Sequence, residues 1–262
     1  MQTENKRVVI VGAGMAGLTT AAYLLRKNYR VLLLDKNERT GGLLGTFEKN
    51  GFFFDSGPRA FINSGIIKPI LADLDLKPNF LENKISIGIE DHLFKVNSID
   101  DLKTYQEILL DLFPENEHDI AKITSAIRKL SDYTKVLYEF DNPNITPELM
   151  KDKEYVFKRL LPWLFKFLRA NWKLNHYKMP MEEFMGRLTQ NRSLIDVITQ
   201  HFFKKTPTDF ALGYFYVYMD YFYPKGGTGA LSSLVTEKVR AAGAEIKLNK
   251  RITHVIPARS MV

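Results

Sequence analysis

The chain contains no cysteine among its 262 residues. This absence excludes disulfide bonds, thiolate metal sites, a cysteine nucleophile and a redox-active dithiol, and we predict no metal site. The sequence also lacks an apolar leader at its charged N-terminus, and no apolar run approaches the roughly 20 residues that a spanning helix needs. We therefore expect a cytoplasmic protein that does not cross a membrane.

Charge is distributed unevenly along a chain of ordinary globular composition. Apolar residues make up 45% and charged residues 26%, which excludes extensive disorder. Nearly all of the formal net charge of +7 falls between Lys151 and Met179, where eight basic residues stand against two acidic ones. Such a cationic patch indicates an anionic partner, either a phospholipid surface or a nucleic acid.

The N-terminal stretch predicts a strand, a turn, a helix and a second strand. Arg7–Val11 is a β-branched run typical of a strand buried on both faces of a parallel sheet. The run ends at Gly12-Ala13-Gly14-Met15-Ala16-Gly17, a G-x-G-x-x-G sequence, and residues 18–27 then have helical spacing. Arg30–Leu34 is the next predicted strand, and Asp35 follows it directly. This order predicts a dinucleotide-binding unit.

Each residue of that unit has a physical task. Gly12 permits a tight turn, Gly14 lets the backbone approach a pyrophosphate, and Gly17 lets the helix lie against the strand. The positive end of the helix then faces the phosphates. The carboxylate of Asp35 can accept hydrogen bonds from both ribose hydroxyls and should repel a 2′-phosphate, which favours a non-phosphorylated adenosine ribose.

Two further segments bear on the cofactor class. Arg39-Thr40-Gly41-Gly42 places a glycine pair just past the ribose acid, which favours FAD over NAD, although such pairs are also common in surface turns. Gly51–Arg59 contains three consecutive phenylalanines followed by Asp-Ser-Gly-Pro, which predicts a short strand that enters a constrained turn.

Together these motifs resemble a known family. Gly12-x-Gly14-x-x-Gly17, Arg39-x-Gly41-Gly42 and Phe54-Asp55-x-Gly57-Pro58 are similar to motifs of the phytoene-desaturase-like branch of the FAD-dependent amine-oxidase superfamily. That branch includes carotenoid desaturases, carotenoid isomerases and retinol saturases. Leu112-Phe113-Pro114 and Tyr223-Pro224-Lys225-Gly226-Gly227 extend the resemblance over nearly the whole chain.

The resemblance implies an FAD cofactor and a two-domain α/β fold. It implies a Rossmann-like FAD-binding domain with a parallel βαβ sheet at residues 1–70 and 224–262, and an inserted α+β domain on the substrate and membrane side at 71–223. Related proteins run to nearly twice this length, so we expect the C-terminal part of the family fold to be missing. The cofactor-binding residues implied are Gly12, Ala13, Gly14, Met15, Ala16, Gly17, Asp35, Lys36, Arg39, Gly41, Gly42, Gly57, Pro58, Arg59 and Ile252.

Some of these roles stay open. Near Ile252 the family uses a backbone N–H and C=O to hold the adenine edge. Arg59 can face flavin or substrate, or form a surface ion pair. No catalytic side chain is named, because flavin carries the chemistry.

The middle of the chain is predicted to be mainly helical. Helices are expected over 100–113, with Ser98 or Asp100 as the N-cap, and over 115–140, with Pro114 between them. A further helix is expected over 181–203. Alternation from Ser86 to Val96 predicts a hairpin, with His92 as a solvated residue at its tip rather than a catalytic one.

Residues 155–177 interleave large apolar groups with Lys and Arg. This pattern suits a peripheral segment with its rings in the headgroup layer of a membrane. The alternative is a helix that buries its aromatics and shows its charges to water. No nucleic-acid-binding fold is indicated, and the sequence does not indicate an oligomeric state.

The leading hypothesis is an FAD-dependent desaturase, isomerase or saturase of the phytoene desaturase type. The resemblance implies hydride transfer at flavin and a carotenoid-like or other isoprenoid lipid as the small-molecule substrate. One alternative is an amine-oxidase-like flavoenzyme, which would need a polar cavity. Another is a catalytically incompetent nucleotide-binding or membrane-associated fragment.

Overall fold

A computed structural model describes residues 6–140 and 150–256. Its strands are β1 (Arg7–Val11), β2 (Arg30–Leu34), β3 (Thr46–Lys49), β4 (Phe52–Asp55), β5 (Phe61–Ile62), β6 (Phe80–Glu82), β7 (Ile85–Ile89), β8 (His92–Val96), β9 (Tyr221–Pro224) and β10 (Glu245–Lys247). Its α-helices of six or more residues are α1 (Met15–Arg26), α2 (Ile67–Asp73), α3 (Leu102–Leu112), α4 (Glu117–Tyr138), α5 (Leu161–Leu174), α6 (Met181–Gly186), α7 (Arg192–Thr199), α8 (Thr208–Met219) and α9 (Thr228–Ala241).

The chain divides into two compact units. The first contains the described residues of 6–61, 71–81 and 223–256, and the second contains 62–70 together with the described residues of 82–222. The predicted functional domains, 1–70 with 224–262 and 71–223, stay a prediction. Residues 1–5 and 257–262 of those ranges lie outside the described residues.

The first unit is built on a parallel sheet in the order β1-β2-β10. The register pairs Arg7 with Arg30 and Val11 with Leu34 on one side of β2. On the other side, Glu245 pairs with Leu32. The predicted α/β class, with its parallel βαβ unit, is confirmed.

The prediction that β1 is buried on both faces is wrong. Val9 is 51% exposed and Val11 is 63% exposed. The physical reason is position, because β1 is an edge strand among the described residues and only one of its faces is covered. The run buried on both faces is the central strand β2, where Val31, Leu32 and Leu33 are all buried.

Two helices of the first unit pack against each other. Leu18 and Ala21 of α1 and Val235 and Val239 of α9 are buried in this packing. The turn at 40–44 is tied to α9, since the Ser232 hydroxyl donates to the Leu44 carbonyl at 2.7 Å. The Ser232 side chain of α9 therefore holds the backbone of this turn against the helix.

The second unit has a helical core. Its buried core residues come from helices α3 to α8 and from the hairpin β7–β8. The Ser98 hydroxyl accepts from Asp100 N at 3.2 Å, and the Asp101 carboxylate accepts from Ser98 N at 2.8 Å. Of the two predicted N-caps, Ser98 is therefore the residue used. Pro114 separates α3 from α4 as predicted.

Two details of this unit differ from expectation. The single helix predicted over 181–203 is two short helices, α6 and α7, because Asn191 begins a new helix by accepting from Leu194 N at 3.2 Å. His92 lies at the first position of β8 rather than at the hairpin tip, and its ring lies 3.2 Å from the Asp111 carboxylate. In the described part of the chain, no helix combines the length and apolar character needed to span a bilayer.

Candidate functional site

The turn between β1 and α1 has no room for a side chain at Gly17. A Cβ there would lie 2.0 Å from the Gly12 carbonyl oxygen and 3.4 Å from a methyl group of Ile10. The first of these distances is far below van der Waals contact, and the atom it meets is backbone that cannot rotate away. Gly17 therefore fixes how closely α1 lies against the strand, as the motif predicts.

The N-terminus of α1 is open. Gly14 is its N-cap, with φ −73° and ψ 177°, and no side chain of the described residues caps it. The first turn contains no acidic residue. The N–H groups of Met15, Ala16 and Gly17 have no acceptor inside the helix, so their positive end can receive an anion.

The glycine pair lies directly beside this helix end. Gly41 N donates to the Ala13 carbonyl at 2.8 Å, and Gly41 pairs with Gly14 as a parallel bridge. A Cβ on Gly14 would lie 3.9 Å from the Gly42 Cα, and one on Gly42 would lie 3.3 Å from the Gly14 Cα. We call this side-chain-free surface the Gly14–Gly42 surface. Its bare backbone at an uncapped helix N-terminus suits the close approach of a pyrophosphate.

Asp35 is buried, with 8% of its surface exposed, and each oxygen of its carboxylate already accepts one hydrogen bond from the backbone. Oδ2 accepts from Ala13 N at 2.7 Å, and Oδ1 accepts from Asn37 N at 2.8 Å. Asp35 therefore holds the two turns in place, a task that the sequence does not reveal. Each carboxylate oxygen can accept a second hydrogen bond, so the predicted ribose contacts remain compatible with this geometry.

The other predicted cofactor residues are less closely grouped. Lys36, Pro58 and Arg59 are exposed, and Arg39 lies 3.4 Å from the Glu38 carboxylate on the surface. Gly57 packs on the 40–44 turn, since a Cβ there would lie 2.6 Å from the Leu43 carbonyl oxygen. The structure therefore places Gly57 against Leu43, which follows the glycine pair in the chain, and leaves the Lys36, Arg39 and Arg59 side chains exposed.

The chain returns to Asp35 after β10. Lys250 N donates to the Asp35 carbonyl at 2.8 Å, and Asn249 N donates to the Asn37 carbonyl at 3.0 Å. Ile252, two residues further on, is partly exposed at 38%. Its predicted backbone contact with adenine stays a prediction.

The chain is similar in sequence to proteins of known function. Residues 10–74 match the family model described as an NAD(P)-binding Rossmann-like domain. The chain is 23% identical over 265 residues to the 1-hydroxycarotenoid 3,4-desaturase of Flavobacterium sp. (strain P99-3), a match that covers 95% of this chain and 51% of that protein. It is also 23% identical over 271 residues to the all-trans-retinol 13,14-reductase of Danio rerio, covering 97% of this chain and 43% of that protein.

Residues 10–74 therefore carry an NAD(P)-binding Rossmann-like domain, and over most of its length the chain is similar to a carotenoid desaturase and a retinol reductase. The crystal structure of an oxidoreductase from Methanosarcina mazei supports the fold, with a TM-score of 0.50 and 16% identity over 97% of this chain and 53% of that chain. The chain spans about half the length of the curated relatives that it matches over most of its own length.

A second polar cluster of the first unit is centred on Asp55. Its Oδ1 accepts from Thr228 N at 2.9 Å, from the Thr228 hydroxyl at 3.0 Å and from the Thr46 hydroxyl at 3.1 Å. Its Oδ2 accepts from the Tyr223 hydroxyl. We call these four residues the Asp55 cluster.

The Asp55 cluster shifts two pKa values. Burial acts to raise the pKa of the Asp55 carboxyl, but the hydrogen bonds from Tyr223, Thr228 and Thr46 outweigh it and lower the pKa below its ordinary value. Burial and the hydrogen bond to Asp55 raise the pKa of Tyr223 to about 12. The carboxylate is therefore the stable form, and Tyr223 stays protonated as its donor.

A cavity of about 980 Å³ adjoins this cluster within the first unit. The glycine-rich turns contribute Gly42, Gly45, Gly226 and Gly229 to its wall, and Arg39 and Arg240 are its basic lining residues. Sequence reasoning missed Arg240, Thr46 and Asp55 as members of this region. Asp55 is part of the Phe54-Asp55-x-Gly57-Pro58 motif, but nothing in the local pattern reveals that two of its partners, Tyr223 and Thr228, lie more than 160 residues away.

Proposed function

We propose that the first unit binds FAD and that the protein acts as a flavin-dependent oxidoreductase whose substrate is an isoprenoid lipid. The observation that carries the proposal is the uncapped N-terminus of α1 beside the Gly14–Gly42 surface. Few other arrangements of backbone offer several free N–H groups, a positive dipole end and no side chains at one place.

The proposed contacts follow from the geometry. The pyrophosphate would lie on the Gly14–Gly42 surface and accept hydrogen bonds from the first turn of α1. The ribose would reach the free acceptor capacity of Asp35, and Arg39 and Arg59 would neutralise phosphate charge from the rim. The remaining proposed contacts are those of Gly12, Ala13, Met15, Ala16, Gly17, Lys36, Gly41, Gly57, Pro58 and Ile252.

When bound, flavin supplies a two-electron centre that takes a hydride from a substrate carbon or returns one. The tasks of this chain are to hold the dinucleotide and to orient the substrate while excluding water. The isoprenoid class is supported by the names of the relatives, a 1-hydroxycarotenoid 3,4-desaturase and an all-trans-retinol 13,14-reductase.

The test is the visible spectrum of the purified chain, before and after FAD is added and excess cofactor is removed. Gly14→Ala should keep the fold, because its φ of −73° suits any residue and the new Cβ meets only an ordinary contact at 3.9 Å. It should nevertheless weaken FAD binding at least about ten-fold, since a displaced phosphate loses hydrogen bonds each worth roughly 1.5–3 kcal/mol.

Gly88→Ala is the matched control. Its Cβ would also meet its nearest atoms at 3.9 Å, but Gly88 lies in the hairpin of the second unit. We expect flavin retention in the original chain and in Gly88→Ala, with a loss in Gly14→Ala. A folded original chain that takes up no FAD would contradict the proposal for these residues.

We also propose that the segment 155–177 docks on an anionic phospholipid surface. Leu161, Phe165, Leu168 and Trp172 follow one another at spacings of four and three residues, so they share one face of α5. All four are exposed, with Phe165 at 72% and Trp172 at 57%. Large exposed apolar stripes are unusual on a free surface and mark an interaction site.

Charge supports a lipid partner for that face. Arg159, Lys166 and Arg169 are exposed on the same segment, and the described residues show no acidic partner for any of them. Each basic residue near an anionic bilayer contributes on the order of 1 kcal/mol. Cosedimentation with vesicles containing phosphatidylserine should therefore exceed that with neutral phosphatidylcholine vesicles.

Phe165→Ser should reduce that cosedimentation, whereas Phe203→Ser should not. Phe203 is 92% exposed but lies outside the α5 face. Equal binding to both vesicle types, or equal effects of the two substitutions, would refute the docking proposal.

A further inference from the structure

The second unit contains a cavity of about 360 Å³ that the proposed cofactor site does not use. Helices α4, α5 and α8 meet around it. Its apolar and aromatic lining comprises Leu137, Tyr138, Leu174, Phe210, Tyr214 and Val217. A volume of this size accepts a ring or chain segment of a small lipid rather than a single water molecule.

One polar pair interrupts this lining. Lys178 donates from Nζ to Oδ2 of Asp209, and both residues line the cavity. Asp209 is buried, with 8% of its surface exposed, and within residues 6–140 and 150–256 its Oδ1 has no hydrogen-bond partner. A buried carboxylate normally has its acceptor capacity filled, so this one has capacity left for a donor.

The pair restricts what the cavity can accept. Asp209 disfavours an anion, and Lys178 neutralises Asp209, so a cation gains little. The pair presents an acceptor next to a donor, which is the complement of a hydroxyl group. Apart from Thr134, the remaining lining is mainly apolar and aromatic, and it is complementary to hydrocarbon.

We propose that this cavity binds an uncharged, largely apolar molecule through a single alcohol group held by Lys178 and Asp209. The preference for an alcohol follows from the cavity alone. Only the identification of that alcohol as an isoprenoid rests on the proposed function.

Tryptophan fluorescence provides a readout that does not depend on flavin or on activity. The chain has two tryptophans. Trp163 donates from Nε1 to the Val136 carbonyl at 3.1 Å, next in sequence to the cavity residues Leu137 and Tyr138. A Trp172→Phe background leaves Trp163 as the reporter, and all-trans-retinol quenches it by energy transfer when bound nearby.

The experiment titrates this background with all-trans-retinol and with its methyl ether, which lacks the donor. We expect saturable quenching by retinol and affinity about ten-fold lower for the ether, because a site built around a hydroxyl leaves its polar groups unpaired when the hydroxyl is absent. Lys178→Met should reduce this preference at least about five-fold, and Lys122→Met, the same change on the exposed face of α4, should leave it unchanged.

Val217→Phe tests the location of the ligand by filling the cavity, and it should weaken both ligands. Competition by 1-dodecanol separates a general alcohol site from an isoprenoid one. Equal affinity for retinol and the ether, or an unchanged affinity in a folded Val217→Phe protein, would overturn the proposal. No step of this titration requires FAD. Failure of flavin uptake would therefore contradict the proposed function, but the titration would still test whether the cavity binds an alcohol.

Discussion

Two glycine-rich turns of the first unit precede helices. They differ in whether a side chain binds the N–H groups at the N-terminus of the following helix. The turn at Gly12–Gly17 leads into α1, whose N-terminus no side chain of the described residues caps. The turn at Gly226–Gly229 leads into α9, where the Asp55 carboxylate accepts from Thr228 N at 2.9 Å. Both helix ends carry the same positive dipole, but only the first is left for an external anion.

The difference shows that a glycine-rich turn before a helix does not by itself make an anion site. At α9 the protein supplies its own carboxylate, and the turn serves to connect two distant segments. At α1 the neighbouring acid, Asp35, binds Ala13 N and Asn37 N and leaves the first turn of the helix free.

The largest effect should come from Gly17→Ala, which distorts the turn at Gly12–Gly17. Its Cβ would lie 2.0 Å from the Gly12 carbonyl oxygen, so the helix must move away from β1. We expect a loss of about 3 kcal/mol in the free energy of unfolding, measured in urea, together with loss of FAD binding. Gly14→Ala is the control that should lose binding but keep stability, and equal stability losses in the two variants would contradict this reading.

Asp55→Asn should destabilise the turn at Gly226–Gly229. It keeps the side-chain volume but removes the charge that accepts four hydrogen bonds, and we expect a loss of about 2 kcal/mol in the free energy of unfolding. Asp132→Asn, on the exposed side of α4, is the matched control and should change stability by less than about 0.5 kcal/mol. An unchanged stability in Asp55→Asn would show that the cluster contributes nothing.

The contribution of Asp55 to stability should depend on pH. The pKa of Asp55 is lowered in the folded protein, so its contribution is present above its ordinary value of 3.8 and is lost as the pH falls through the lowered value. The stability difference between the original chain and Asp55→Asn should therefore be constant near neutral pH and shrink below about pH 4. Denaturant titrations at several pH values measure it, and a difference that grows with acid would refute the sign.

Thr46→Val should have the smallest effect. The Thr46 hydroxyl donates to Asp55 at 3.1 Å and accepts from Gly229 N at 3.0 Å, so the isosteric change removes two hydrogen bonds but leaves the carboxylate in place. A loss of about 1 kcal/mol is expected in urea unfolding. Thr104→Val on the exposed surface of α3 should be nearly neutral, and similar losses in both variants would indicate a general effect of the substitution.

Local patterns predicted most of the first unit. The β-branched run, the glycine spacing and the helical periodicity correctly predicted β1, α1 and β2, since each depends on residues close in sequence. They failed for the burial of β1, because the strand order decides which strand is central. They also failed over 181–203, where Asn191 caps a new helix inside an apolar pattern.

Short-range spacing in the sequence was enough to specify the βαβ unit and the glycine positions of its first turn, because these depend on residues that are close together in the chain. Only the tertiary structure decided that Asp55 closes the other turn, since its partner Thr228 lies 173 residues away in the chain. The same holds for the cavity at Lys178 and Asp209, whose residues come from helices that no local pattern brings together. Helix ends and cavities acquire their chemistry from neighbours in space, and the sequence does not name those neighbours.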